Sequence, residues 1–141
     1  MSIATAEDGV PWVAPVYYAL TRGRFYFFSA PDSRHITEAL ASGRAAATVY
    51  ADSESWRGIR GAQMAGAIRE VTRKAELVES FLLYTRRYPF VRELLPAGLE
   101  VDAGSFFQRF HVKLYCFEPE LIYYLDNSVK FGFREKVALR V

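Results

Sequence analysis

FYFFSAPDSRHITEALASG, residues Phe25–Gly43, is the stretch whose reading decides the fold. It opens as an aromatic strand, Phe25-Tyr26-Phe27-Phe28, with the composition that pleated, half-buried surfaces favour. The run breaks at Ser29-Ala30-Pro31-Asp32 and restarts as a helix. Asp32 or Ser29 is the expected N-cap, and Pro31 suits a first turn because its missing N–H has no partner there. Ile36, Ala39 and Leu40 recur at helical spacing on one face, and Gly43 supplies the stop. A strand feeding a helix N-terminus leaves backbone N–H groups pointing outward with a partial positive charge behind them. The hydroxyls of Ser29 and Ser33 and the guanidinium of Arg34 fall at that mouth, and together they are the parts of a phosphate site. Ordinary capping and a solvated arginine use the same residues.

Working outward, Ser2–Ala6 reads as a short strand turned by Glu7-Asp8-Gly9, a hairpin signal. Val10–Leu20 (VPWVAPVYYAL) is apolar on both faces, which predicts one strand covered on its outer side by a helix, a second subunit or a flat ligand. Pro11 and Pro15 cannot donate to a ladder and place this strand at an edge or a bulge. Thr21-Arg22-Gly23 turns it into the aromatic strand. Beyond the helix, Ala45–Ala51 is a strand of small residues, Asp52–Gly58 a polar loop, and Ile59–Val71 a long strand. Gly61 and Gly66 within it call for a bend or a close neighbour, as a small barrel requires.

In the second half, Lys74–Tyr88 is predicted helical, with Leu77, Phe81, Tyr84 and Thr85 on one stripe. Phe90–Leu95 continues as a short helix and Pro96–Gly104 is the longest loop. Ser105–Phe117 (SFFQRFHVKLYCF) alternates and reads as a strand, with Arg109, His111 and Lys113 as a basic stripe on its polar face. Leu121–Leu125 is the next strand, Asn127–Phe133 a loop, and Lys136–Val141 a last strand. About seven strands with two helices inserted, not regularly alternating, predict an α+β domain over residues 1–141: a six- to seven-stranded antiparallel barrel with helices packed outside.

Composition narrows the partners. The 141 residues are 51% hydrophobic and 16% aromatic, with 11 Phe and 9 Tyr, enough chain for a real core and a β-rich one. A net charge of +2 gives no support for a nucleic-acid or membrane partner. The start, MSIATAEDG, lacks the basic and apolar regions of a signal peptide, and no stretch approaches a membrane helix. Cys116 stands alone, compatible with a cytoplasmic location, and Cys116, His35 and His111 have no metal-ligand spacing. No Ser–His–Asp or paired-carboxylate arrangement supports hydrolysis.

The residues PVYYAL, FYFFSAPDSRH and IRGAQMAG, with the RRYPFVREL segment and the YLDNSVKFGFREKV tail, resemble the FMN-binding split β-barrels related to pyridoxamine 5'-phosphate oxidase. The resemblance runs over nearly the whole chain and is nearest to a small, uncharacterised bacterial branch. It implies that Ser33, Arg34 and His35 face the FMN phosphate and that Ser29 joins them. It implies that Val16, Tyr17 and Tyr18 run along the isoalloxazine edge, and that Gln63 reaches the flavin or ribityl chain across a two-fold dimer. The wider family often has an Arg and a Lys where this chain has Ala14-Pro15 and Leu20-Thr21, and a Lys where it has His35. The Arg and His that hold pyridoxal substrate are missing, which disfavours that substrate. The expectation is a homodimeric FMN-dependent oxidoreductase of unknown substrate. The alternatives are a split barrel binding deazaflavin F420 or haem, or a non-catalytic flavin-binding or interaction module. Trp12 and Trp56 are both able to stack on a ring; Trp12 is expected in the core, Trp56 as a lid in its loop, and Cys116 as an inert buried thiol.

Overall fold

The computed structural model describes residues 1–94 and 103–138. Its strands are β1 (Ser2–Glu7), β2 (Val10–Pro15), β3 (Ala19–Thr21), β4 (Arg24–Ser29), β5 (Ala45–Tyr50), β6 (Arg60–Glu70), β7 (Lys113–Asp126) and β8 (Arg134–Val137). Helices α1 (Arg34–Ser42), α2 (Lys74–Arg87), the single turn α3 (Phe90–Glu93) and α4 (Ala103–Phe110) lie between them, with a 3-10 turn at Trp56–Gly58. All pairings are antiparallel, in the order β2-β1-β5-β6-β7-β4-β3, and β8 pairs with the far half of β7. The sheet curls without closing, which makes the fold an α+β split barrel.

Local chemistry explains the hairpins. Asp8 and Gly9 take φ of 50° and 78° between the paired Glu7 and Val10, and Arg22 and Gly23 take 48° and 72° between Thr21 and Arg24. Two successive left-handed residues make the two-residue turn whose twist matches the strands it joins. The aromatic strand alternates as its period demands. Phe25 and Phe27 enter the barrel core with Ile3, Ile36, Met64, Tyr115 and Phe117. Tyr26 and Phe28 face the other way, against helices α2 and α4, through contacts with Leu77, Phe81, Phe106 and Phe107. A partly buried ion pair ties α2 to this side. Glu76 accepts hydrogen bonds from Arg69 at 2.6 Å and from Tyr26 at 3.0 Å, and Arg69 also holds Glu118 at 3.0 Å.

Four expectations need correction. Val10–Leu20 is two strands separated at residues 16–18, and β2 is largely exposed in the single chain: Val13 is 58% and Trp12 42% accessible, so Trp12 is not core. Ser105–Phe117 is not one strand. Its first half is the end of α4, His111 turns the chain with φ 52°, and only Lys113 onward is extended, so the basic stripe of Arg109, His111 and Lys113 does not exist. Phe106 and Phe110 alternate like a strand yet also sit four residues apart, and burial against Phe28 and Phe81 selects the helix. That strand's remainder and Leu121–Leu125 are one continuous β7, running through Pro119 with a register shift opposite Ala65 and Gly66. The last strand begins at Arg134, ahead of the expected Lys136. The Pro96–Gly104 loop lies mostly, and residues 139–141 wholly, outside the described residues.

Gly61 and Gly66 have the close neighbours expected of them: a Cβ on Gly61 would lie 2.6 Å from the Val49 carbonyl oxygen. Cys116 is fully buried, and burial pushes its thiol up to about 12, so it stays protonated and inert. No helix of the described residues is long and apolar enough to cross a membrane.

Candidate functional site

The junction of β4 and α1 gathers three of the expected residues. Ser29 Oγ lies 2.9 Å from Ser33 Oγ and 3.0 Å from His35 Nε2, so the two hydroxyls and the imidazole form one hydrogen-bonded cluster. The N-cap is Ser33, with extended backbone (φ −66°, ψ 142°), and neither Asp32 nor Ser29 takes that place. Its hydroxyl does not cap the helix. It donates back to the Ala30 carbonyl at 2.8 Å and leaves the first-turn N–H groups to other partners. Leu40 is 47% exposed, and the buried face of α1 is His35, Ile36, Glu38 and Ala39 instead.

Arg34 points away from the two serines. Its Nε donates to Glu38 Oε1, one turn on, and its guanidinium stacks 4.8 Å over the Trp12 ring. Glu38 is buried, accepts a second hydrogen bond from Thr5 on β1, and has its acidity increased chiefly by the Arg34 bond and then by Thr5. Arg34 itself is 43% exposed, so one side of its guanidinium faces solvent at the helix mouth.

His35 is buried, and desolvation holds its pKa below the ordinary value of 6.5, against an opposing pull from Glu38. A histidine that folds neutral costs stability once the unfolded chain protonates. Its contribution is therefore complete above about pH 6.5 and is lost as pH falls from there toward the folded-state pKa. Glu38 has the same sign lower down, being stabilising above the ordinary carboxylate value and lost below it. Urea midpoints measured from pH 8 to pH 4 are expected to hold steady to about 6.5, then fall, and fall further below about 4.5. His35→Gln is expected to remove the first decline and leave the second.

Three more of the expected residues, Val16, Tyr17 and Tyr18, line a cavity of about 590 Å³. Val16, Tyr17 and Tyr18 form one wall, and Thr48, Val49 and Tyr50 of β5 form another, with Tyr88 at one end. The break between β2 and β3 is what opens it. There the ladder is replaced by a side chain: Tyr88 Oη accepts from the Tyr18 N–H at 3.2 Å and donates to the Tyr18 carbonyl at 2.8 Å. Arg87 adds a hydrogen bond to the Tyr88 hydroxyl and stacks 4.6 Å over the Tyr18 ring. Tyr17 stays 63% exposed, edge-on to Tyr88 and Phe90. Gln63 stands apart from both groups, exposed on β6 between Thr48 and Tyr123.

Sequence reasoning missed Glu38, Tyr88 and the Thr48–Tyr50 wall. Glu38 had a local signal, four residues after Arg34 on a helix. Tyr88 had none, since its partner is 70 residues away. Trp56 is half exposed and packs edge-on against Phe131 at 5.8 Å. Among the described residues no group of three or more His, Cys, Asp or Glu side chains is placed to hold a metal ion.

A half-open antiparallel barrel with a strand–turn–helix hydroxyl cluster and a cavity beside its broken strand defines a split-barrel protein. Residues 1–98 match the family model of pyridoxamine 5'-phosphate oxidase, and the chain belongs to that family. No curated protein matches the chain. Among solved structures, a heme binding protein from Mycobacterium smegmatis superposes with a TM-score of 0.72 at 13% identity, over 97% of this chain and 51% of that one. The chain thus spans about half of that protein's length. A conserved hypothetical protein from Mycobacterium tuberculosis gives 0.70 at 17% identity, covering 97% of this chain and 82% of that one. A FAD-binding protein from Mesorhizobium loti gives 0.62 at 20% identity, covering 86% and 80%. At these identities the likeness is one of fold.

Proposed function

We propose that the chain binds FMN and serves as a cytoplasmic flavin-dependent oxidoreductase of unknown substrate, working as a homodimer with flavin between the subunits. The observation that carries this reading is the cluster of Ser29, Ser33 and His35 at the N-terminus of α1. The two hydroxyls and the helix N-terminus suit a phosphate, and Arg34 reaches it by turning its exposed side from Trp12. A cavity of about 590 Å³ is of the size that encloses a cofactor. Its walls at Val16–Tyr18 and Val49–Tyr50 are apolar and aromatic, suited to a flat ring. Bound flavin supplies hydride and electron transfer, and this chain's part is to hold the ring, orient it and exclude water. A second copy covers the exposed apolar residues of β2, with Val10 54% and Val13 58% accessible in the single chain, and brings Gln63 toward the other subunit's ligand.

Flavin fluorescence titration tests the reading. FMN is expected to bind at one per chain. Arg34→Ala and Ser33→Ala are each expected to weaken it by roughly 10- to 100-fold, the worth of a hydrogen bond to a charged group. Riboflavin, which lacks the phosphate, is expected to bind both variants as it binds the unchanged chain. Equal FMN affinity in Arg34→Ala sinks the phosphate assignment. Uptake of haem or deazaflavin F420 in preference to FMN replaces the cofactor. FMN that binds yet cannot be reduced by NADH or NADPH leaves a carrier instead of an enzyme.

A further inference from the structure

The cavity wall at Val16–Tyr18 is held at its two ends by different parts of the molecule. Val16 is tied to Met1, just ahead of β1: its N–H donates to the Met1 carbonyl at 2.9 Å, and its carbonyl accepts from the Met1 nitrogen at 3.2 Å. Tyr18 is tied to one side chain, the Tyr88 hydroxyl, which accepts its N–H at 3.2 Å and donates to its carbonyl at 2.8 Å. A phenol has one proton and two lone pairs. Arg87 Nε, at 3.0 Å, and the Tyr18 N–H fill the lone pairs, so the proton is committed to the Tyr18 carbonyl. The ring that carries the hydroxyl is fixed as well. Tyr88 ends α2, its N–H bonded to the Tyr84 carbonyl at 2.9 Å, and Pro89 beside it cannot continue the helix. Its ring meets Tyr84 at 4.8 Å and Tyr17 at 5.1 Å between centroids. Tyr18 and Tyr88 both line the cavity, whose lining includes none of Ser29, Ser33, Arg34 and His35.

We infer that the Tyr88 hydroxyl is the positioning group for the ring end of the site. Through both backbone groups of Tyr18 it sets where the wall of residues 16–18 stands, and so how a flat ring fits between that wall and Thr48–Tyr50. What singles Tyr88 out is that one oxygen meets both the donor and the acceptor of a residue lining the cavity. A segment fastened by a strand loses its partners one at a time; this one loses both when a single atom is removed. The site is thereby divided. The hydroxyl cluster at α1 governs what FMN has and riboflavin lacks, and Tyr88 governs what the two share. As to which ring is bound, the inference rests on the function proposed above. The fastening of Tyr18 is measured without flavin.

The experiment uses Tyr88→Phe in the full chain, which keeps the ring against Tyr84 and Tyr17 and removes the one oxygen. Fluorescence titration is expected to show FMN and riboflavin weakened by the same factor, roughly tenfold, the worth of one to two neutral hydrogen bonds. Amide exchange at Tyr18 is expected to be at least about tenfold faster in this variant, with Val16 within about twofold of the unchanged chain. Leu77→Ala is the control. It loosens α2 where Leu77 packs with Tyr26, away from Tyr18, and is expected to lower Tm while leaving both flavin affinities within about twofold. Unchanged riboflavin affinity in Tyr88→Phe overturns the inference. So does a loss confined to FMN, which would assign Tyr88 to the phosphate end, or an equal loss in Leu77→Ala, which would make the effect one of stability. If neither flavin binds the unchanged chain, the flavin reading fails and exchange decides. A faster Tyr18 amide then keeps Tyr88 as the group that positions the wall, and an unchanged one overturns it.

Discussion

Gly66→Ala is expected to destabilise the protein by about 3 kcal/mol, read as a fall in the urea midpoint and in Tm. The added Cβ would sit 2.1 Å from the Glu118 carbonyl oxygen and 2.8 Å from the Pro119 Cα. Both are backbone atoms of the neighbouring strand, so no rotamer change relieves the contact. The strands can separate only by giving up ladder hydrogen bonds where the β6–β7 register already shifts. Against a total stability of about 5–15 kcal/mol for a domain, that loss is large, and for a chain of this size it lowers Tm by about 6–12 °C. A Tm within about 2 °C of the unchanged chain would mean that the two strands do not approach as described.

The second large effect is expected at Phe28. Its ring meets Tyr84 at 4.7 Å, Phe106 at 5.0 Å, Phe107 at 5.7 Å and Phe81 at 6.0 Å between centroids. One side chain of β4 thus joins the sheet to α2 and α4, and edge-on pairs add to the burial. Phe28→Ala is expected to cost about 3–5 kcal/mol. The loss should be uneven. Amide exchange is expected to speed up throughout α4 before it does in β5 and β6, because Phe106 and Phe107 of α4 pack directly on Phe28 while those strands keep the barrel core. Phe28→Leu, which keeps most of the apolar volume, is expected to recover over half of the stability. Uniform acceleration across α4 and β6 would show that the helices and barrel unfold as one unit.

How legible this molecule was from its sequence follows from the range of each interaction. The hairpins at Asp8-Gly9 and Arg22-Gly23 and the αL stop at Gly43 were readable because a turn's φ requirement is written in the residues that form it. The alternation Phe25/Phe27 against Tyr26/Phe28 was readable because a strand's period is local. The break after Pro15 was not, because the hydroxyl that replaces the ladder there belongs to Tyr88, far along the chain. SFFQRF was misread because its phenylalanines satisfy both periods, and only Phe28 and Phe81 across the core decide between them. The site divides in the same way. Ser29, Ser33 and His35 meet within one turn and were named together from the sequence, whereas Arg34's tie to Trp12 and Tyr88's to Tyr18 needed the fold.

The two prolines of β2 set how the molecule can meet its own copies. In the hairpin, Glu7 and Val10 face each other across the turn, so the N–H groups of residues 10, 12 and 14 point toward β1 and those of 11, 13 and 15 point outward. Two of those three outward places are Pro11 and Pro15, which have no N–H to give. The β2 edge of the sheet therefore offers a single donor, that of Val13, to an arriving chain. Such an edge is a poor template for strand addition, the route by which open sheets run together into fibrous aggregates.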